Sequence, residues 1–275
     1  MDSVNKTMYI PLYAKAFVSK KGLFLEDKKA EEIWQREGFD VGRKSRSKWL
    51  AYYLGMRSAV FDEWLRLQMR TYPDAVVIHV GCGLDSRIER VGAQGHLWYD
   101  VDFDEVISER KKYYLETDLY HMIVGDARDS IWLETIPSGA HVLVVMEGVS
   151  MYVPTLDMRA LIESICERFD SMSMLVDVYT TLGAKMSKIK NPIKEVGVQT
   201  VYGVDSPSEY ITGEVECVFV HSITPTKYVD MLKGIEKFVF RTLYAGNLSK
   251  KLYQLYEYKK EISQRYYSRD SHLDR

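Results

Sequence analysis

The apolar positions of this chain change period along its length. From Ser47 to Gln68, Leu50, Tyr53, Leu54, Val60, Phe61, Trp64 and Leu65 recur at helical spacing, which predicts an amphipathic helix with Gly55 as its weak point. Leu23–Asp27 reads as a linker into an earlier helix carrying Ile33 and Trp34. Further on the runs shorten: Ala75–Val80, Leu97–Asp102, His121–Val124, His141–Met146 and Met174–Tyr179 have strand length. Helical patterns separate them at Phe103–Leu115, with Asp104 and Glu105 in the first turn where carboxylates complement the helix dipole, and at Pro154–Phe169. Strands joined by short helical crossovers predict an α/β, Rossmann-like fold: a mostly parallel, seven-stranded sheet with helices on both faces.

After Tyr179 the periodicity blurs. Gly183, Pro192, Gly197, Gly203, Pro207 and Gly213 make 181–213 loop-rich, and 180–215 is a candidate lid. Glu216–Ser222 reads as a strand. Residues 225–262 read as mostly helical, with Phe238–Tyr244 open to either helix or strand, and Lys250, Lys251, Lys259, Lys260 and Arg265 as a solvated helix face. The division expected is a helical cap over 1–70, either covering a ligand or simply cladding the sheet, and the sheet domain over 71–275.

Composition narrows the function more than the fold. A chain of 275 residues, 46% hydrophobic and 28% charged, can bury a substantial core. A net charge of −2 gives no reason to expect nucleic acid or an anionic membrane as partner. Cys82, Cys166 and Cys217 lack metal-ligand spacing, an odd number that suits a reduced compartment. No apolar run reaches the ~20 residues that span a bilayer, and the first residues lack the plan of a signal peptide. A cytoplasmic protein is expected.

The chemistry gathers where strands end. Gly81-Cys82-Gly83 follows the first strand, and glycine lets a backbone turn sharply close to a ligand. Asp102 closes the second strand about twenty residues on, placed to accept from both hydroxyls of a ribose. Asp126-Ala127 after the third can take an adenine, the carboxylate at its amine and the next N–H at its ring. Glu147 emerges from a wholly apolar strand, where a carboxylate needs a cation: a methionine ammonium or, as a purely structural arrangement, a nearby arginine.

The segments His79-Val-Gly-Cys-Gly-Leu-Asp-Ser-Arg87, Trp98-Tyr-Asp-Val-Asp-Phe103, Gly125-Asp-Ala-Arg-Asp129 and Glu147-Gly-Val-Ser-Met-Tyr-Val-Pro154, with Met56-Arg57-Ser58 upstream, resemble the leucine carboxyl methyltransferases and the related polyketide-synthesis O-methyltransferases. The resemblance runs from the N-terminal helices to about Tyr179. It implies a class I, S-adenosylmethionine-dependent methyltransferase. On that match Arg57 pairs with the methionine carboxylate, and Gly81, Cys82 and Gly83 lie along the nucleoside. Asp102 holds the ribose, Asp126 and Ala127 the adenine, and Glu147 the region of the amino group. Lys15 matches a basic residue near the family's N-terminus by approximate spacing. His79 departs from the family's usual Leu or Asn and is expected in the core, bonded to backbone.

The reaction implied is methyl transfer to oxygen. A carboxylate acceptor is already anionic at neutral pH and needs no base, whereas a hydroxyl needs one. His121, His141 and His221 are the candidates, each with a structural role as the simpler reading; Tyr152, Tyr202 and Asp205 are expected to face the acceptor. The acceptor expected is a small molecule, with a protein C-terminus as the alternative. A nicotinamide-dependent oxidoreductase would want a third glycine where Ser86 stands and has no use for Asp126, Ala127 or Glu147. A non-catalytic cofactor-binding or partner-binding domain would keep the first glycine turn without an acceptor pocket.

Overall fold

The computed structural model describes residues 5–39, 42, 44–190 and 200–261. Its strands are β1 (Val76–Val80), β2 (Trp98–Asp102), β3 (Tyr120–Val124), β4 (Gly139–Met146), β5 (Phe169–Tyr179), β6 (Glu216–His221) and β7 (Tyr253–Lys260). They form one sheet in the order β3-β2-β1-β4-β5-β7-β6. The first five pair in parallel, and β7 enters antiparallel between β5 and β6. The seven-stranded, mostly parallel sheet expected from the sequence is the one formed.

Alternation along the central strands divides the core in two. Val77 of β1 and Leu143 and Val145 of β4 pack toward the N-terminal helices α1 (Tyr9–Lys20), α2 (Lys28–Glu37) and α3 (Lys48–Thr71), against Tyr52, Met56, Phe61 and Trp64. Val76, Ile78, Val80, Val142, Val144 and Met146 face the other way. After the short helices α4 (Arg87–Val91) and α5 (Asp104–Arg110), that second face is covered by Met158, Leu161 and Ile165 of α6 (Thr155–Arg168). Covered on both sides, Val142–Met146 of β4 is a continuous apolar run, and β1 is one broken only by His79.

Gly55 has a packing reason. A Cβ there would stand 2.8 Å from Val18 Cγ2, so the residue that weakens α3 as an isolated helix is where α1 crosses it. Asp27 accepts from the Ala30 N–H at 2.8 Å and starts α2. The loop-rich stretch begins with α7 (Thr181–Lys190), while Pro192 and Gly197 lie outside the described residues.

Two readings of the C-terminal third need correction. Among the described residues of 225–262, helices α8 (Thr226–Val229) and α9 (Gly234–Leu243) are present, and α9 settles the ambiguity at Phe238–Tyr244 in favour of helix over most of that run. Tyr253–Lys260, however, is a strand with β5 on one side and β6 on the other. Its charged residues obscured the pattern, and two of them find hydrogen-bond partners. Glu257 meets His221 Nε2 at 2.7 Å, and Lys260 Nζ reaches the carbonyls of Cys166 and Phe169 at 2.7 and 3.1 Å. Lys259 and Lys260 therefore do not belong to a solvated helix face, and Arg265 lies outside the described residues. The predicted helix over Phe103–Leu115 also ends early, at Arg110.

Candidate functional site

A partly open cleft lies over the carboxyl ends of β1, β2 and β4. Its polar floor includes Gly81, Cys82, Gly83, Asp85, Asp102 and Glu147; its other walls include Ile10, Pro11 and Lys15 of α1, Leu50, Leu54 and Arg57 of α3, and Val149, Met151 and Tyr152 after β4. The N-terminal helices thus form part of the cleft, and only their packing over the sheet brings Lys15 and Arg57 to it.

The glycine turn is demanded by its surroundings. Gly81 and Gly83 have φ of +68° and +51°, and a Cβ on Gly81 would fall 2.1 Å from Val149 Cγ2. Asp102 reaches back over this turn: Oδ2 accepts the Gly83 N–H and Oδ1 the Phe103 N–H, both at 2.8 Å. Of the carboxylates lining the cleft, Asp102 is the one with no cation in contact among the described residues, and burial pushes it up to about 6 despite its two backbone donors. Cys82 is buried, and burial raises its thiol well above the usual range, so it stays neutral.

Behind the floor lies a buried ion-pair network. Glu147 takes Arg57 Nε at 3.0 Å, the Ser58 hydroxyl at 2.7 Å and Arg87 Nη2. Burial alone would raise this carboxyl; Arg57 and then Arg87 hold it down at about 2. Arg57 also gives Nη1 to Asp177 Oδ2 and to the Tyr253 hydroxyl, each at 2.8 Å. Arg87 and Arg90 share Asp62, Arg90 reaches Asp27 and Asp85, and Lys15 Nζ meets Asp85 at 3.2 Å. Glu147 therefore has the arginine partners of the structural alternative. Asp62 holds Arg87 and Arg90, and Glu63 holds Lys227 and Tyr228.

Other expected positions fall elsewhere. Asp126 and Ala127 are not part of the cleft lining, and the Asp126 carboxylate is chelated by Arg128, with Nε 3.0 Å from each oxygen. Tyr202 is 36% exposed outside the lining, its N–H bonded to the Met151 carbonyl at 2.8 Å. Asp205 Oδ1 accepts the Thr181 N–H at 2.7 Å, at the first turn of α7. Tyr152 does line the cleft. His79 borders the cleft and is buried as expected, but its partners are side chains: Arg87 Nη1 lies 3.1 Å from Nε2, and Asp100 Oδ1 lies 3.3 Å from Nδ1 without hydrogen-bond alignment. The reason is its strand position, facing the arginines of α4 rather than a free backbone group. His121 stacks on Tyr99, His141 sits between Ser171 and Ser173, and His221 pairs with Glu257, all away from the cleft.

Sequence reasoning passed over Asp85, Asp177, Tyr179 and Tyr253. Asp177 carried the same signal as Glu147, a carboxylate in an apolar strand. Tyr253 carried none, since it lies in the strand read as helix.

The residues suit an S-adenosyl ligand on two structural grounds: a glycine turn that admits no side chain, and beside it a buried carboxylate with no cation in contact among the described residues and able to accept from hydroxyls. Comparison with known proteins agrees. Residues 5–166 match the model of the leucine carboxyl methyltransferase family. The tetracenomycin polyketide synthesis O-methyltransferase TcmP of Streptomyces glaucescens is 28% identical over 209 residues, 75% of this chain and 77% of that protein. An S-adenosyl-L-methionine-dependent methyltransferase of Gibberella zeae, dpfgK, is 25% identical over 235 residues, 77% of this chain and 79% of that one. Two solved structures show the fold alone. The magnesium protoporphyrin IX methyltransferase of Synechocystis with bound S-adenosylhomocysteine has TM-score 0.50 and 14% identity, over 92% of this chain and all of that one (100%). A DUF574 family protein of Streptomyces avermitilis has TM-score 0.58 and 8% identity, over 85% and 89%. The chain belongs to the leucine carboxyl methyltransferase family and is an S-adenosylmethionine-dependent O-methyltransferase.

Proposed function

We propose that the acceptor is a small molecule whose carboxylate or hydroxyl oxygen is methylated in the cleft between α1, α3 and the segment after β4. The observation that carries this reading is the apolar wall of Ile10, Pro11, Leu50, Leu54, Val149 and Met151 facing the polar glycine and carboxylate floor. Such a wall suits an organic body with one polar handle. The name of the Streptomyces relative, a polyketide-synthesis enzyme, points the same way.

S-adenosylmethionine, when bound, supplies the activated methyl group. On our reading Gly81, Cys82 and Gly83 lie along its nucleoside, Asp102 accepts from the ribose, and Lys15, Arg57 and Glu147 surround its amino-acid end. Asp126 and Ala127 would serve the adenine only if Asp126 kept an oxygen for it beside Arg128. The protein's remaining work is alignment and exclusion of water. None of His121, His141 and His221 lines the cleft, and His79, which does, is buried between Arg87 and Asp100, so the oxygen best suited to it is one already ionised. Tyr152 borders the acceptor space; Tyr202 would join it only by moving inward.

The test is transfer of isotopically labelled methyl to a panel of aromatic acids, phenols and a peptide ending in leucine. Label released from a small acid by mild alkali marks an ester, and alkali-stable label on a phenol marks an ether. Transfer to the peptide alone would overturn the small-molecule reading. Helices of the described residues include none long and apolar enough to cross a membrane, so assays need no lipid on that account.

A further inference from the structure

Asp177 is fully buried in β5 between Val176 and Val178, where an ionised carboxylate is costly without partners. Its partners come from three separate parts of the cleft wall. Oδ1 accepts the Gly148 N–H at 2.7 Å, and Oδ2 accepts Arg57 Nη1 at 2.8 Å together with the Tyr253 hydroxyl. Its carbonyl accepts the Ser150 hydroxyl. The turn after β4, helix α3 and strand β7 are thereby tied to one side chain. Arg57, Gly148 and Tyr253 line the cleft, and Asp177 does not. The family match ends at residue 166, so it carries neither Asp177 nor Tyr253.

With Nε on Glu147 and Nη1 on Asp177, the plane of the Arg57 guanidinium is fixed by two carboxylates. The third nitrogen, Nη2, lies beside Gly148, where a Cβ would stand 3.3 Å away. Glu147 alone would leave the group free to swing about one bond.

We propose that Asp177 is a positioning residue that orients Arg57 toward the amino-acid end of the cofactor. The inference rests on the assignment of Arg57 to that end. The readout is a difference between two ligands: S-adenosylhomocysteine has the amino-acid end and adenosine lacks it. Calorimetric titration of both into the wild type, Asp177→Asn, Arg57→Lys and the double variant is the experiment. An asparagine turns an amide donor toward either Arg57 or Gly148, and a lysine cannot make the two-pronged contact.

The expected result is a loss of roughly tenfold or more for S-adenosylhomocysteine in each single variant. Adenosine should change by less than about twofold, and the double variant should lose little beyond the singles because one arrangement is being broken. A selective loss in Arg57→Lys without one in Asp177→Asn overturns the role of Asp177 alone. No selective loss in Arg57→Lys overturns the assignment of Arg57, and the inference with it. Equal losses of both ligands in Asp177→Asn make the residue merely structural and also overturn it. Should Asp177→Asn fail to fold, Tyr253→Phe, which leaves the carboxylate paired with Arg57, decides: a smaller selective loss supports the role, and an equal or absent loss refutes it.

Discussion

Asp102 and Arg57 show how the same kind of burial gives opposite outcomes. Asp102 has backbone donors but no cation in contact among the described residues, and burial lifts it to about 6, above the ~3.9 of an unfolded chain. A folded state that holds its proton more tightly is favoured at low pH. This contribution is therefore complete below about pH 4 and is lost as pH rises to about 6, a change on the order of 3 kcal/mol. Urea midpoints of the ligand-free protein should show Asp102→Asn losing less stability over that interval than the wild type; parallel curves would put the titration elsewhere. Cofactor affinity should fall as pH drops through about 6, because the protonated carboxyl loses acceptor capacity. Arg57 is the converse case, a cation held by Glu147 and Asp177. Arg57→Ala should cost ~3–5 kcal/mol in urea denaturation, since it strips a buried charge from two carboxylates. A loss under ~1 kcal/mol is what an exposed surface pair would give.

Between elements, side-chain pairs across neighbouring strands set the pH response. His141 on β4 stands between the hydroxyls of Ser171 and Ser173 on β5, at 2.6 and 3.1 Å, and stacks on Tyr72. Burial, with a smaller push from Lys259, lowers its imidazole to about 4. Here the folded state binds the proton less well than the unfolded chain, so this stability is complete above about pH 6.5 and is lost as pH falls toward 4. The sign is opposite to that of Asp102 over an overlapping interval, so each variant isolates one slope. His141→Phe should flatten the acid limb of the wild-type curve, and an unchanged limb would mean that the folded protein protonates His141 as readily as the unfolded chain does. The elements themselves were legible to different degrees. Strands β1 to β5 stood out because helices on both faces make their runs apolar. β7 did not, because Glu257, Lys259 and Lys260 interrupt Tyr253–Lys260 and find their partners on distant parts of the chain. Asp102 and the glycine turn could be read locally. The commitment of Glu147 to Arg57 and Arg87 could not, since it depends on how α3 crosses the sheet.

For the molecule as a whole, the cleft is assembled from distant parts of the sequence: Lys15 and Arg57 before the first strand, Tyr253 in the strand after α9. What that assembly fixes is charge. The network joins four cations, Lys15, Arg57, Arg87 and Arg90, to five carboxylates, Asp27, Asp62, Asp85, Glu147 and Asp177. Asp102 adds a sixth carboxylate beside the network. At neutral pH two negative charges in and behind the floor are left without a matching cation among these groups. Charges in a partly buried site are weakly screened by salt, so this excess acts on whatever binds there. S-adenosylmethionine carries a sulfonium charge that S-adenosylhomocysteine lacks, and the two are otherwise nearly the same in shape. The cleft should therefore hold the methyl donor more tightly than the spent product, by about tenfold, or ~1.4 kcal/mol. Titrating both at pH 7.5 measures the ratio, and Asp102→Asn should narrow it while weakening both ligands. Equal affinities in the wild type, or tighter binding of the product, would mean that hydrogen bonding to the neutral parts of the ligand outweighs the excess charge.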